Sequence, residues 1–253
     1  MTTQTLTTDT PKALWLSVNP SFRRLEQQLL VPLNQSFGAV AHWGYSQTPD
    51  EPSDLDVAIT LLHDYLKCRD RPVHLIGHST AGLVGLVYAR RFPERVRSLT
   101  LLGVGVNPAI DWKAHYYTQL DLLPCNRTRL LTQMVYSLFG HQRQPYLHGL
   151  LTMLERDLTT SLSLHSPLHR FSLFPAGVSV PLLVCGGQLD TIVDPVHLQG
   201  WYPWFKQGDR LWLCSQGRHF FYATHANETA AEIGDFWQAV EVARMESSLL
   251  QSA

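Results

Sequence analysis

The chain is 253 residues long, with 20 basic against 21 acidic side chains and a formal net charge of −1. That length, with 45% hydrophobic residues, supports one core in a single domain spanning 1–253, and the even charge balance without a basic stripe argues against nucleic acid as a partner. No run reaches the ~18 apolar residues of a membrane-crossing helix, and the threonine-rich segment Met1 to Thr10 lacks the apolar stretch of a secretory signal, so a cytoplasmic protein without a membrane span is expected. In chain order the pattern predicts strand Ala13–Val18, helix Phe22–Leu30, strand Gly38–His42, helix Leu55–Leu66, strand Val73–Ile76, helix Thr80–Phe92 and strand Leu99–Val104. This alternation predicts an α/β fold, a mostly parallel, doubly wound sheet of about six strands with helices on both faces. Ser53-x-x-Asp56 reads as a capping box before the helical repeat Leu55, Ala58, Leu62, Tyr65.

Between Val104 and Gly177 the alternation lapses. Asn126 opens a helical stretch through Leu130, Leu131, Met134, Val135 and Leu138, and Tyr146 to Leu158 makes another. A helical insertion at about 107–176 is therefore expected. Strands resume with Pro181–Gly187 and Arg210–Gln216, and Ala223 to Phe236 reads as helix. Cys68, Cys125, Cys185 and Cys214 lack metal-ligand spacing and read as buried, reduced thiols. Arg90, Arg91, Arg95 and Arg97 read as the cationic end of a helix.

The most informative segment is Val73-His-Leu-Ile-Gly-His-Ser-Thr-Ala-Gly82, an apolar strand running into Gly-x-Ser-x-Ala-Gly and then a helix. A chain that reverses so sharply needs small residues around the serine, and Gly77 and Ala81 provide them. Ser79 would stand at a helix N-terminus, beside backbone N–H groups with no helical acceptor. Asp190 follows the strand Pro181–Gly187, and His219 follows Arg210–Gln216, in the order nucleophile, acid, base. Asp194, directly before Pro195, reads instead as a helix cap. His225 reads as a surface or cap residue, and His78 as a packing group rather than the base.

These segments together resemble the α/β-hydrolase superfamily in its single-domain form with a helical cap, over roughly Lys12 to Arg244. The resemblance implies Ser79 as nucleophile, His219 as base and Asp190 as the group that orients it, with no cofactor and a small-molecule substrate. Where the family usually has His-Gly after its first long strand, this chain has Asn19-Pro20-Ser21. The oxyanion donors implied are the Thr80 N–H and a second near Val18 or Asn19, with Asn19 the candidate through its backbone or its amide; Pro20 has no N–H. The implied activity is hydrolysis of an ester, thioester or related acyl bond through an acyl-enzyme. The apolar cap residues Tyr116, Tyr117, Leu122, Leu123, Met134, Tyr136, Leu138, Phe139 and Leu147 favour an uncharged, apolar substrate. A lyase or C–C bond hydrolase with the same triad, and a non-catalytic homologue that binds a small molecule or partner, are the alternatives. Oligomeric state is left open.

Overall fold

Short apolar strands separated by amphipathic helices assemble into one parallel sheet. The structure is a computed structural model that describes residues 11–46, 50–51, 53–124, 126–166, 168–169 and 171–251. The elements are β1 (Ala13–Ser17), α1 (Arg23–Phe37), β2 (Val40–Gly44), α2 (Leu55–Lys67), β3 (Val73–His78), α3 (Thr80–Arg91) and β4 (Val96–Leu102). Three helices follow, α4 (Trp112–Leu122), α5 (Arg127–Phe139) and α6 (Gln144–Thr160). Then come β5 (Leu182–Gly187), α7 (Pro195–Gln199), β6 (Arg210–Cys214), α8 (Phe221–Thr224) and α9 (Ala226–Gln251). The sheet order is β2-β1-β3-β4-β5-β6, and every neighbouring pair is parallel. β1, β3 and β5 are buried along their whole length, as a sheet covered on both faces requires. α1 packs with α9, and α2 with α3, to form the helical layers. Among the described residues no helix is long and apolar enough to cross a membrane.

The chain leaves β1 toward β2 on one side and returns on the other side as β3. The strand order therefore reverses between β1 and β3, the place at whose carboxyl end such sheets take their ligands. Leu16 pairs with Gly77. Two residues further on, that register brings Val18 level with Ser79.

Several boundaries differ from the pattern reading. α1 continues past Leu30 and through Pro32 to Phe37; burial of Leu33 against the core outweighs the hydrogen bond that Pro32 cannot donate. Gly38, at φ 87°, stops that helix and moves β2 to Val40–Gly44. β4 begins at Val96 because Val96 pairs with Val73, and it ends before Gly103, at φ 60°. The N-cap of α2 is Asp54, whose carboxylate accepts from the Asp56 N–H at 2.8 Å, so Ser53 is not the cap. Cys185 and Cys214 are buried, but Cys68 is exposed, against the expectation; Cys125 lies outside the described residues. Arg97 lies on β4, not at a helix end. The segment after β4 contains a helix the pattern did not delimit, α4, capped by the Asp111 carboxylate on the Ala114 N–H at 2.8 Å.

Candidate active site

Ser79 sits between β3 and α3 with φ 52° and ψ −123°. Among the described residues it is the one non-glycine residue at positive φ. A backbone held there costs about 1–3 kcal/mol and persists because the surroundings fix it. Its N–H donates to the Leu102 carbonyl at 2.9 Å, and its carbonyl accepts from Leu83 at 3.0 Å. The neighbours must be small: a Cβ on Gly77 would lie 2.7 Å from the Ala81 backbone, and one on Gly82 would lie 2.8 Å from the Gly77 carbonyl oxygen. Ser79 Oγ is buried and makes no hydrogen bond with the protein. The Thr80 N–H opens α3, so no carbonyl within that helix reaches it.

Asp190 and His219 meet across two loops. A Cβ on Gly187 would come within 2.4 Å of the Gly217 carbonyl oxygen, so a glycine at the end of β5 lets the loop after β6 pass in contact. Leu189 N–H then donates to Gly217 O at 2.8 Å, and Gln188 N–H to Cys214 O at 2.9 Å. His219 Nδ1 and Asp190 Oδ2 are 2.9 Å apart, with both side chains fully buried. The other Asp190 oxygen accepts from the Ile192 and Val193 N–H groups at 2.8 and 3.1 Å. A carboxylate so held fixes Nδ1 as the protonated nitrogen and leaves Nε2 with its lone pair. Nε2 is buried and without a hydrogen-bond partner in the protein.

The rival residues take other parts. Asp194 caps α7, accepting from the His197 N–H at 2.9 Å, and that bond holds its carboxyl below the usual range. His225 ends α8 and shares a 2.9 Å bond with Thr224 Oγ1. His78 Nε2 donates to the His219 carbonyl at 3.1 Å, and its ring lies among His219, Phe220 and Tyr222. Burial pushes the His78 pKa well below its ordinary value, so the ring is neutral and supports the backbone of His219.

Asn19 is occupied by a group the sequence reading did not single out. Its Nδ2 donates to both oxygens of Asp157, on α6, at 3.1 and 3.2 Å. Asp157 is fully buried and also accepts from Trp112 Nε1 at 3.2 Å and from Ser161 Oγ. Lys113 Nζ, fully buried as well, lies 3.5 Å away and offsets the charge. The loop after β1 is bound further by the Leu162 N–H on the Val18 carbonyl at 3.3 Å. A second buried chain starts at Thr80, whose Oγ1 donates to Asp111 Oδ2 at 2.8 Å. The other Asp111 oxygen lies 3.7 Å from His165 Nε2, and His165 lines a cavity of about 490 Å³ together with Tyr117, Ser161, Ser163 and Phe171. His115 faces the site as well: the charges of His219, Asp111 and Asp190 act on its ring, and burial lowers its pKa. No local motif marks Lys113, Asp157 or His165; a lysine and an aspartate on otherwise apolar helical faces were the available signal.

A family model described as alpha/beta hydrolase fold matches residues 66–133, which hold β3, the Ser79 turn and α3. The chain belongs to the α/β-hydrolase superfamily. It is 44% identical over 248 residues, 98% of each chain, to an uncharacterized protein of Synechocystis sp.. This α/β-hydrolase is also 26% identical over 222 residues, 72% of this chain and 68% of the other, to cis-3-alkyl-4-alkyloxetan-2-one decarboxylase of Shewanella oneidensis. Among solved structures, a thermophilic esterase superposes with a TM-score of 0.65 at 17% identity, covering 92% of this chain and 91% of that one. At that identity the likeness is one of fold.

Proposed function

We propose that this α/β-hydrolase is a serine hydrolase that cleaves an ester, thioester or related acyl bond of a small, apolar substrate through an acyl-enzyme. The observation that carries the reading is the buried Asp190–His219 hydrogen bond of 2.9 Å, with its far nitrogen and the strained Ser79 hydroxyl both left without protein partners. In this reading Ser79 Oγ attacks the acyl carbon as its proton passes to His219 Nε2, and the imidazolium is stabilised by Asp190. The oxyanion is met by the Thr80 N–H and by the backbone N–H of Asn19, whose amide is already engaged by Asp157. Collapse breaks the acyl bond, and the leaving alcohol or thiol takes the proton from His219. Water then repeats the sequence and frees the acid.

The helices at about 107–176 serve as the cap in this reading. The cavity beside His165 joins an apolar side, Tyr117, Leu158, Leu164 and Phe171, to a polar one that includes Glu51, Ser161 and His169; Ser79 and His219 are not among the residues that line it. Phe139 stacks on Phe220 at 4.7 Å, and Phe220 in turn stands edge-on to His219, which places aromatic surface next to the base. A fluorophosphonate tests the assignment. It should label Ser79 alone, and Ser79→Ala should lose the label together with turnover of p-nitrophenyl esters, by about three orders of magnitude or more. Unchanged turnover in Ser79→Ala would falsify the reading.

The likeness to the Shewanella oneidensis decarboxylase favours one second reading, lyase chemistry on a strained cyclic ester. Attack of Ser79 on the ring carbonyl would give an acyl-enzyme that water converts to a hydroxy acid, whereas attack on the ring's alkyl carbon would free the carboxylate, which then leaves as carbon dioxide while the bond to Ser79 breaks and the alkene forms; product analysis separates the two.

A further inference from the structure

A second cavity, of about 760 Å³, lies where β1 to β4 begin, between Val40, His74 and Arg97 on the strands and Trp237, Glu241 and Met245 on α9. β3 runs from this end of the sheet to Ser79, so roughly 16 Å of strand separate the cavity from the candidate active site. Its size suits a small ligand. We propose that it binds a single-headed anionic amphiphile, a small molecule with a carboxylate or phosphate at one end and an apolar body.

Charge argues for the anion. Among the described residues that line the cavity, Lys12, Arg97 and Arg244 stand against the one carboxylate of Glu241, in a chain whose net charge is −1. Arg97 is 11% exposed, and its partner, Glu241 Oε1, stands 3.6 Å away. That is beyond a hydrogen bond, and the buried Arg97 Nη1 makes none, so two of the guanidinium's five N–H donors are unspent. The same Glu241 carboxylate has His74 Nε2 at 3.5 Å and Arg244 Nη1 at 3.9 Å. Three nitrogen groups crowd one carboxylate without closing on it, and a ligand anion would supply the missing acceptors in the bidentate geometry that Arg favours.

The walls of the cavity suit the apolar body. Trp237 stacks on His74 at 5.0 Å and meets Phe37 edge-on at 6.0 Å. His74 stays neutral, since burial lowers its pKa to about 4, and its Nδ1 is tied to Ser98 Oγ at 2.7 Å. Val242 and Met245 form an exposed lip on α9, 56% and 64% exposed. At the mouth of a cationic cavity these two side chains would cover the apolar body of a ligand held by its head group, and the combination selects an amphiphile over a bare ion.

The test uses the full chain with decanoate, decyl phosphate and decanol, each below its micelle concentration, in isothermal titration calorimetry. One of the two anions should bind saturably, one per chain, and about tenfold or more tighter than decanol; the tighter of the two identifies the head group. Lys12→Glu combined with Arg244→Glu, both at the surface, should weaken binding about tenfold or more while ester turnover is kept. Arg97→Gln should act in the same direction, and the surface pair carries the test if that variant does not fold. A decanoate with a diazirine in its tail should cross-link to the segment Phe236 to Leu249. Absence of saturable binding, equal affinity for decanol, indifference to the charge reversal, or cross-links confined to peptides holding Ser79 or His219 would each overturn the proposal. So would binding to anionic phosphatidylglycerol vesicles with none to the free amphiphiles.

Discussion

At the scale of single residues, the site depends on which polar atoms are already bonded. Asp190 has both oxygens engaged, one by His219 and one by two backbone N–H groups, so it can hold the imidazole in one orientation. Asp190→Asn and His219→Ala should each lower kcat/KM for a p-nitrophenyl ester by about 10³-fold or more. Asp194→Asn and His225→Ala should leave it within about threefold, because the Asp194 carboxylate caps α7 and the His225 ring is bonded to Thr224. If His225→Ala were the crippling change, the assignment of the base would be wrong. Asn19 makes a sharper case: its amide donors are on Asp157. Asn19→Ala should therefore lower stability by about 1.5–3 kcal/mol, the worth of a hydrogen bond to a charged group, and should lower kcat by loosening the loop while KM changes little. Steady-state kinetics beside urea denaturation separates the two effects.

At the scale of elements, two contacts between segments hold the site in register. The first is the passage of Gly187 against Gly217, which joins the acid loop to the histidine loop. Gly187→Ala should cost about 1–3 kcal/mol from overpacking and should depress kcat beyond what stability explains. The control is Gly149→Ala in α6, where an added Cβ meets nothing within 4 Å; that change should stabilise by about 0.5–1 kcal/mol through helix propensity. Thermal melts of both variants decide it. The second contact ties α6 to the loop after β1 through Asp157. Removing the carboxylate in Asp157→Ala leaves Lys113 buried without its counter-charge, at a cost of about 3–5 kcal/mol. Lys113→Met combined with Asp157→Asn should recover much of that loss, since the pair then carries no charge and the introduced amide oxygen can still accept from Asn19. A double variant no more stable than Asp157→Ala would show that the charges themselves are required.

For the whole molecule, burial of neutral imidazoles couples folding to pH. His74 is lowered from 6.5 to about 4 by burial first and by the Lys12 charge second; burial outweighs the Glu241 carboxylate at 3.5 Å. The unfolded chain therefore binds a proton at a higher pH than the folded one. The stabilisation from keeping His74 neutral is fully present above about pH 6.5 and is lost progressively as pH falls toward 4, a total of about 3 kcal/mol. His78 shifts the same way. Urea midpoints should fall between pH 7 and pH 4.5, and His74→Phe, which keeps an aromatic ring beside Trp237, should reduce that fall by about 2 kcal/mol. An unchanged pH dependence in His74→Phe would mean that other groups set it.

Local features are legible in the sequence. The run Val73 to Gly82 specifies strand, turn and helix because its small residues permit what bulkier ones would block, and Asp194-Pro195 is a cap by its own chemistry. The alternation of apolar strands and helices was enough for a parallel sheet of six strands, since period and length are read within each element. The tertiary structure decided what depends on distant segments. The β2 and β4 boundaries follow from which residues pair across the sheet, and α1 runs through Pro32 because the core it packs against compensates one missing bond. Asn19 and Asp157 are 138 positions apart, and Asp190 and His219 are 29 apart. No periodicity links residues at such separations. Their partners are fixed only once the sheet order brings the loops to one end and α6 packs against the loop after β1, because a buried polar group must be paired and the fold alone sets which groups are within reach.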